Sequence, residues 1–390
     1  MKKRITIVTA TRAEYGLLKP VILGLIASDE FDVRVVATGA HLSQDFGMTY
    51  REIENDGITI DEKIEILLGS DSPSAITKSM GLALFGFADY FHRVRPDLLI
   101  LLGDRYETLA IAQAAMNEHV PIAHLYGGET TEGALDENIR HAITKLSYLH
   151  FTSTEEYRRR VIQLGEDPSR VFTVGALGVE NILHEDILSK SQLAAQLETD
   201  LSCPFGMVTF HPTTLENNSA KAQIEEILAV VENHPELFFI VTKANADADG
   251  RIINSLLDSF AQHHQNIAVF ASLGMKRYLS ALKHCEFVLG NSSSGLIEAP
   301  SFHVPVINVG DRQKGRLQAE CVLNCEPERS SIEAALNIAR SDSFQRIAQE
   351  CVNPYGNGDS SRKIIQSIRE VLSHDKIDLK KHFFDLEEGK

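Results

Sequence analysis

The sequence contains no tryptophan, and its five cysteines (Cys203, Cys285, Cys321, Cys325 and Cys351) form no CxxC pair and no Cys/His group at zinc spacing. An odd number of unpaired thiols excludes a disulfide framework and a structural zinc site, and fits reduced cysteines in a cytoplasmic protein. No stretch reaches 18 uninterrupted apolar residues, so no membrane-spanning helix is expected. Arg12 and Glu14 interrupt the opening MKKRITIVTATRAEYG too early for a signal peptide. Basic charge is in deficit, with 38 Lys and Arg against 54 Asp and Glu and a net charge of −16. Such a surface argues against nucleic acid or an anionic membrane as the main partner. It leaves room for an anionic small molecule held by local arginines and helix N-termini. Four motifs are also missing. Without GxGxxG after the first strand-like run there is no nicotinamide fingerprint, and without GxxxxGK[ST] there is no P-loop. The absence of HExxH and GxSxG removes the zincin and nucleophile-elbow readings.

What is present is an α/β chain. Its 390 residues suit two domains, and its hydrophobic content of 43% supports a core in each. Strand-like runs alternate with helix-length segments: RITIVTA, FDVRVVATG, PDLLILLGD, VPIAHLYGG, LSYLHFTST and SRVFTVG, then GMVTFHP, LFFIVTKAN, QNIAVFA, CEFVLGNSS and VPVINVG. Short buried strands separated by helices predict βαβ units and parallel sheets. The expectation is two Rossmann-like, doubly wound domains with a cleft between them. The N-terminal domain is placed at 1–178, the second at 179–365, and a C-terminal helix and tail at 366–390, packing back on the first domain.

Ligands of such sheets bind beyond the C-terminal strand ends. In the first half those ends carry Arg12 (TATRAEYG), His41 (ATGAHLS), Asp104 with Arg105 (LLGDRYET), and Glu129 with Asp136 (AHLYGGETTEGALDE). Asp104 also fits an N-cap for the helical run that follows it. Asp136/Arg140 and Glu137/His141 stand at i, i+4 on one helix face beside an apolar stripe of Ile139, Ala142, Ile143 and Leu146, which equally describes a charged surface helix. The preceding Gly pair lets the backbone take positive φ or approach a ligand closely. In the second half, GNSSSGLIEAP predicts a strand ending at a helix N-terminus, with Ser292, Ser293, Ser294 and Gly295 around an anion site and Glu298 one turn on, placed to accept from ribose hydroxyls. His211 (FHPTT) ends another strand, and VGDRQKGR brings Arg312, Lys314 and Arg316 to the same edge, suiting a diphosphate.

Taken in order, TATRAEYGLL, GDRYET, GGETTEGALDENIRHAITKLS, HPTT, GNSSSGLIE and NVGDRQKGR resemble the UDP-N-acetylglucosamine 2-epimerase family over nearly the whole chain, and in particular its hydrolysing branch of the sialic acid type. The resemblance implies a GT-B fold, a cytoplasmic homodimer, no metal and no cofactor. It also implies conversion of UDP-N-acetylglucosamine to N-acetylmannosamine and UDP, or of a UDP-2,4-diacetamido-6-deoxy sugar in the legionaminic acid branch. Carried over residue by residue, it implies Asp104, Glu129 and Asp136 as catalytic carboxylates, and Arg12, Arg105, His211, Asn245, Ser292, Ser293, Ser294, Gly295, Glu298 and Arg312 as UDP-binding residues. One position departs: where some members carry a carboxylate before the Gly pair, this chain has Tyr126, and Glu129 is expected to substitute. Two other readings share the UDP cradle, a GT-B glycosyltransferase and a non-catalytic UDP-sugar sensor.

Overall fold

The computed structural model describes residues 2–70, 72–131, 135–212, 219–244, 250–373 and 377–386. The chain forms two compact units, one of Met1–Glu129, Asp136–Asn181 and Tyr355–Lys390, the other of Thr130–Leu135 and Ile182–Pro354. The return to the first unit therefore begins at Tyr355, ahead of residue 366.

In the first unit the strands are β1 (Lys3–Thr9), β2 (Phe31–Thr38), β3 (Ile60–Ile64), β4 (Leu98–Leu102), β5 (Ile122–Leu125), β6 (Leu149–Thr152) and β7 (Val171–Thr173). They pair in the order β3-β2-β1-β4-β5-β6-β7, every neighbour parallel. Its helices are α1 (Arg12–Ile26), α2 (Tyr50–Asn55), α3 (Pro73–Val94), α4 (Tyr106–Asn117), α5 (Asp136–Leu146), α6 (Glu155–Gln163) and α7 (Leu177–His184), which leads into the second unit. β4 shows why the sheet is covered on both faces. Its LLILL run is buried throughout, with Leu98, Ile100 and Leu102 in one apolar cluster and Leu99 and Leu101 in another.

The second unit begins with α8 (Lys190–Leu197), then β8 (Phe205–Thr209), α9 (Ala220–Asn233), β9 (Phe238–Thr242), α10 (Gly250–Ala261), β10 (Ile267–Phe270), α11 (Gly274–His284), β11 (Phe287–Gly290) and α12 (Ser293–Ile297). β12 (Val306–Val309), β13 (Val322–Cys325), α13 (Arg329–Ala339) and α14 (Asp342–Glu350) complete it. Its sheet runs β10-β9-β8-β11-β12-β13, again all parallel. The last helix, α15 (Ser360–Leu372), belongs to the first unit, where Ile364, Ile368 and Leu372 share a core with Leu18, Val21, Ile22 and Leu25 of α1. Gly24 of α1 lets Ile365 of α15 pack close: a Cβ there would stand 2.4 Å from Ile365 Cδ1, so that side chain would have to shift. No described helix is long and apolar enough to cross a membrane.

In each sheet the strand order reverses once, between β1 and β4 in the first unit and between β8 and β11 in the second. Open parallel sheets bind ligands at such switch points. Arg12 follows β1 and Asp104 follows β4, while His211 follows β8 and Ser292 follows β11.

Candidate active site

In the first unit the strand-end residues are organised by one buried cation. Arg140, in the second turn of α5, is only 1% exposed. Its Nη1 donates to the Glu129 carbonyl at 2.9 Å and to Glu137 Oε2 at 2.8 Å, and its Nη2 donates to Asp104 Oδ2. Burial opposes the charge, but the carboxylates of Asp104, Glu129 and Glu137 outweigh it and raise the guanidinium pKa. The helix is therefore not a solvated charged surface. Glu137, which reads in sequence as a solvent-facing helix charge, holds Arg140 and also accepts from His141 Nε2 at 3.0 Å. Lys145, by contrast, stays exposed at the surface while its Nζ reaches Glu166 Oε1 at 2.6 Å.

Asp104 is not a helix cap. Gly103 turns the chain with φ +83 after β4, and α4 begins only at Tyr106 with Arg105 at its N-cap position. The Asp104 carboxylate is thus available to Arg140. Arg105 donates from Nε to Glu107 Oε1 at 2.7 Å, and Arg12, the first residue of α1, donates to Glu52 Oε2 at 2.9 Å. Glu129 is 2% exposed, and its Oε1 accepts from Ser153 Oγ at 2.9 Å. Asp136 opens α5 and is half-buried. Arg140 thereby ties Asp104, after β4, to Glu129, after β5, from the helix that Asp136 begins.

The Gly pair serves packing. Gly128 takes φ +81, and a Cβ there would lie 2.4 Å from the Tyr157 carbonyl of α6. Tyr126 also has positive φ (71), packs against the core cluster shared with α1, and accepts from the Leu177 N–H at 2.8 Å through its hydroxyl. Its side chain takes up a structural position, while Glu129 lies with Arg140 and Ser153. His41 and His124 are core histidines. His41 sits between Thr9 Oγ1 at 3.0 Å and Thr49 Oγ1 at 2.8 Å. His124 donates from Nε2 to the Gly103 carbonyl at 2.8 Å, which braces the turn before Asp104.

These two histidines give the fold an acid limit. Burial drives each imidazole from 6.5 to about 4. A folded pKa below the unfolded one contributes stability that is present above pH 6.5 and lost as pH falls toward 4, about 3 kcal/mol for each fully buried ring. Glu14 works the other way. Burial and the neighbouring Glu107 raise it from 4.5 to about 7, so its contribution is lost as pH rises through that window. His150, likewise lowered by burial, adds to the two histidines, and Glu298, raised by burial, adds to Glu14; the three histidines outnumber the two opposing carboxylates and leave a net fall below pH 6.5. The expected result is a thermal midpoint that drops steadily between pH 6.5 and 4.5, with a smaller drop in His41→Gln. A flat profile over that range would contradict these assignments.

In the second unit the organiser is Asn291, in GNSSSG, which sequence reading passed over in favour of the serines. Its Oδ1 accepts from the His211 N–H at 2.7 Å and its Nδ2 donates to the His211 carbonyl at 2.8 Å. Its own carbonyl accepts from Arg312 Nη1 at 3.0 Å and from Gln313 Nε2 at 2.8 Å. One residue, through its side chain and its backbone carbonyl, thus gathers the ends of β8, β11 and β12. Gly290 makes the approach possible: at φ +135, a Cβ would stand 2.0 Å from the Thr209 carbonyl. Ser292 is the N-cap residue of the short α12, and its hydroxyl makes no capping bond; Ser293 begins the helix. Gly295 is buried against Val306 and Val288.

Ser294 and Glu298 are engaged with each other. Ser294 Oγ donates to Glu298 Oε2 and lies in hydrogen-bond contact with the Tyr278 hydroxyl. Burial raises the Glu298 pKa, and the Ser294 bond offsets part of that. Asn245 lies outside the described residues. Lys314 pairs with Asp311 at 3.5 Å on the same turn as Arg312. Ser153 and Asn291 each stand at or just past a strand end, the place from which the other candidates were drawn.

Comparison with known proteins bears on this geometry. A family model described as UDP-N-acetylglucosamine 2-epimerase matches residues 25–369. The chain is 40% identical over 386 residues to the GDP/UDP-N,N'-diacetylbacillosamine 2-epimerase (hydrolyzing) of Campylobacter jejuni, covering 99% of this chain and 100% of that protein. It is 37% identical to the polysialic acid biosynthesis protein P7 of Escherichia coli, covering 99% and 98%. It is 33% identical to the UDP-N,N'-diacetylbacillosamine 2-epimerase (hydrolyzing) of Legionella pneumophila, covering 97% and 98%. Among solved structures, the Neisseria meningitidis UDP-GlcNAc 2-epimerase bound to UDP-GlcNAc superposes with a TM-score of 0.80 at 19% identity, covering 94% of this chain and all of that one. At that identity the likeness shows the fold, two parallel-sheet α/β units of the GT-B type.

Proposed function

Since the chain belongs to the UDP-N-acetylglucosamine 2-epimerase family, we propose that it is a hydrolysing 2-epimerase, releasing UDP and the free 2-epimer from a UDP-2-acetamido sugar. The observation that carries this reading is the Arg140 network, which joins the strand-end carboxylate Asp104 to Glu129 from the helix opened by Asp136.

The chemistry needs such a set. C2 of the sugar is not adjacent to a carbonyl, so its proton becomes removable only as the C1–O bond to UDP breaks and positive charge develops at C1. A carboxylate then takes H2 and leaves a glycal. Water adds at C1, and a proton arrives at C2 on the opposite face, giving the 2-epimer. One base and one acid on different faces are required, together with a cationic clamp on the departing diphosphate. In the proposal Asp104, Glu129 and Asp136 supply the proton-transfer groups, and Arg140 fixes Asp104 against the Glu129 backbone. Arg12, Arg105 and Arg312 supply positive charge, and Ser292 and Ser293 present donors to the diphosphate, with His211 and Gly295 completing the nucleotide's surroundings. The carboxylate set distinguishes this reading from a GT-B glycosyltransferase and from a UDP-sugar sensor, neither of which requires it.

Two substrates fit. The names of the relatives at 40% and 33% identity favour UDP-N,N'-diacetylbacillosamine over UDP-N-acetylglucosamine. Steady-state kcat/KM for both, with free UDP and the released sugar quantified, tests the proposal: the diacetamido sugar should be preferred, and release of UDP from neither would overturn the enzyme reading.

The nucleotide half has its own test. Ser292→Ala with Ser293→Ala should weaken UDP binding, each lost hydrogen bond to a charged group costing about 1.5–3 kcal/mol. Calorimetry showing wild-type affinity in the double variant would move the nucleotide elsewhere.

A further inference from the structure

The segment 377–386 follows α15, contains neither helix nor strand, and leaves Phe383 64% and Phe384 38% exposed. Ile377 packs against the core of the first unit, and beyond it apolar burial of the segment is partial. The polar hold centres on Lys381. Its ammonium donates to the carbonyls of Lys145 at 3.1 Å and Ser147 at 2.7 Å, and pairs with Glu166 Oε2 at 2.5 Å. Three ammonium protons thus meet three acceptors. The Lys145 carbonyl is one of those at the C-terminal end of α5 that has no helical partner, and cationic donors are favourable there. Glu166 is 2% exposed and also receives Lys145 Nζ at 2.6 Å and His150 Nε2 at 3.0 Å. The backbone adds a further tie, since Phe384 N donates to the Gly165 carbonyl at 3.0 Å. The Phe383 ring occupies the space that a Cβ on Gly165 would enter, at 2.3 Å.

The same helix carries Asp136 at its first position and Arg140 in its second turn. An 11-residue helix is about 16 Å long and moves as one rod, so a shift at its C-terminal end is felt at Arg140. We propose that Lys381 is a positioning residue for the reaction: the C-terminal segment straps the end of α5, and the strap keeps Arg140 in register with Asp104 and Glu129. The catalytic part of this rests on the hydrolysing-epimerase reading. Misplacement of catalytic groups by about 1 Å costs on the order of 100-fold in rate, so a partial slackening should be plainly measurable.

The test uses the full chain with Lys381→Met, Lys381→Arg, and Lys380→Met as a neighbouring control. In Lys381→Met, kcat should fall about tenfold with KM within about twofold of wild type. Amide exchange at residues 143–147 should speed up about tenfold. Lys381→Arg should recover most of kcat and of the exchange protection, because guanidinium can reach the same carbonyls and carboxylate, and Lys380→Met should match wild type in both. A folded Lys381→Met with wild-type kcat would overturn the positioning role, as would an equal loss in Lys380→Met. If the wild-type protein released no UDP from its sugar nucleotides, the epimerase reading would fall. Exchange would still decide the strap, with unchanged protection at 143–147 in Lys381→Met overturning it.

Discussion

Asp136→Asn should keep its fold and its affinity for UDP while turnover falls by roughly 10²–10⁴-fold, the usual contribution of a positioned general acid or base. Asn retains the shape and the hydrogen-bonding capacity of Asp but holds no exchangeable carboxylate proton. Asp136 opens α5, half-buried, one and a bit turns before Arg140. If it were only a helix charge, its loss would cost a few tenths of a kcal/mol of stability, as for exposed pairs generally, and leave kcat intact. Measuring kcat and the thermal midpoint in the same variant separates the two accounts: a normal kcat with a slightly lowered midpoint would remove Asp136 from the chemistry.

The largest stability effect should come from Arg140→Met. The side chain is 1% exposed, and it partners Asp104 Oδ2, Glu137 Oε2 and the Glu129 carbonyl. Methionine matches much of its length but leaves those acceptors without their shared cation. Removing one partner of a buried ion pair typically costs about 3–5 kcal/mol. Lys363→Met is the contrast. Lys363 pairs with Asp359 at 2.7 Å with side chains 42% and 32% exposed, and its loss should cost no more than about 1 kcal/mol. Thermal midpoints of the two variants side by side test the difference. Equal small shifts would mean that Arg140 is not the centre of the network. Arg140→Met should also lose most of its turnover, because Asp104 is no longer held toward Glu129.

The sequence was most legible where burial is complete. Each fully covered strand reads as an apolar run, and the alternation with helices predicts two parallel sheets, as found. The two strands that escaped, β3 and β13, are edges. IDEKI and VLNC are half-exposed and carry polar residues, so neither forms the continuous apolar run that marks a central strand. The placement of candidates at strand ends was legible for the same reason, since parallel strands put all their C-terminal ends on one edge.

What escaped was the organisation among those candidates. Asp136 and Arg140 look like an ion pair at i, i+4, and nothing in their spacing says that Arg140 reaches Asp104, 36 residues earlier, across two strands. Asn291 is invisible for a similar reason. Four of its polar contacts go to His211, Arg312 and Gln313, and only the packed sheet brings those loops together. Tyr126 turns its phenol to the Leu177 N–H and the α1 core, and Glu129 lies beside Ser153; neither contact is legible in the sequence. The Gly pair was open to positive φ or to close approach of a ligand; Gly128 takes φ +81, and the Tyr157 carbonyl stands where its Cβ would be.

The central claim is that C2 loses and regains a proton while the bond from C1 to UDP is broken for good. Turnover of the UDP-sugar in D2O tests it directly. The account predicts free UDP in equal amount to a free 2-epimeric sugar carrying one deuterium at C2. Recovery of the epimer still joined to UDP, or of a free sugar that keeps its original hydrogen and configuration at C2, would contradict it.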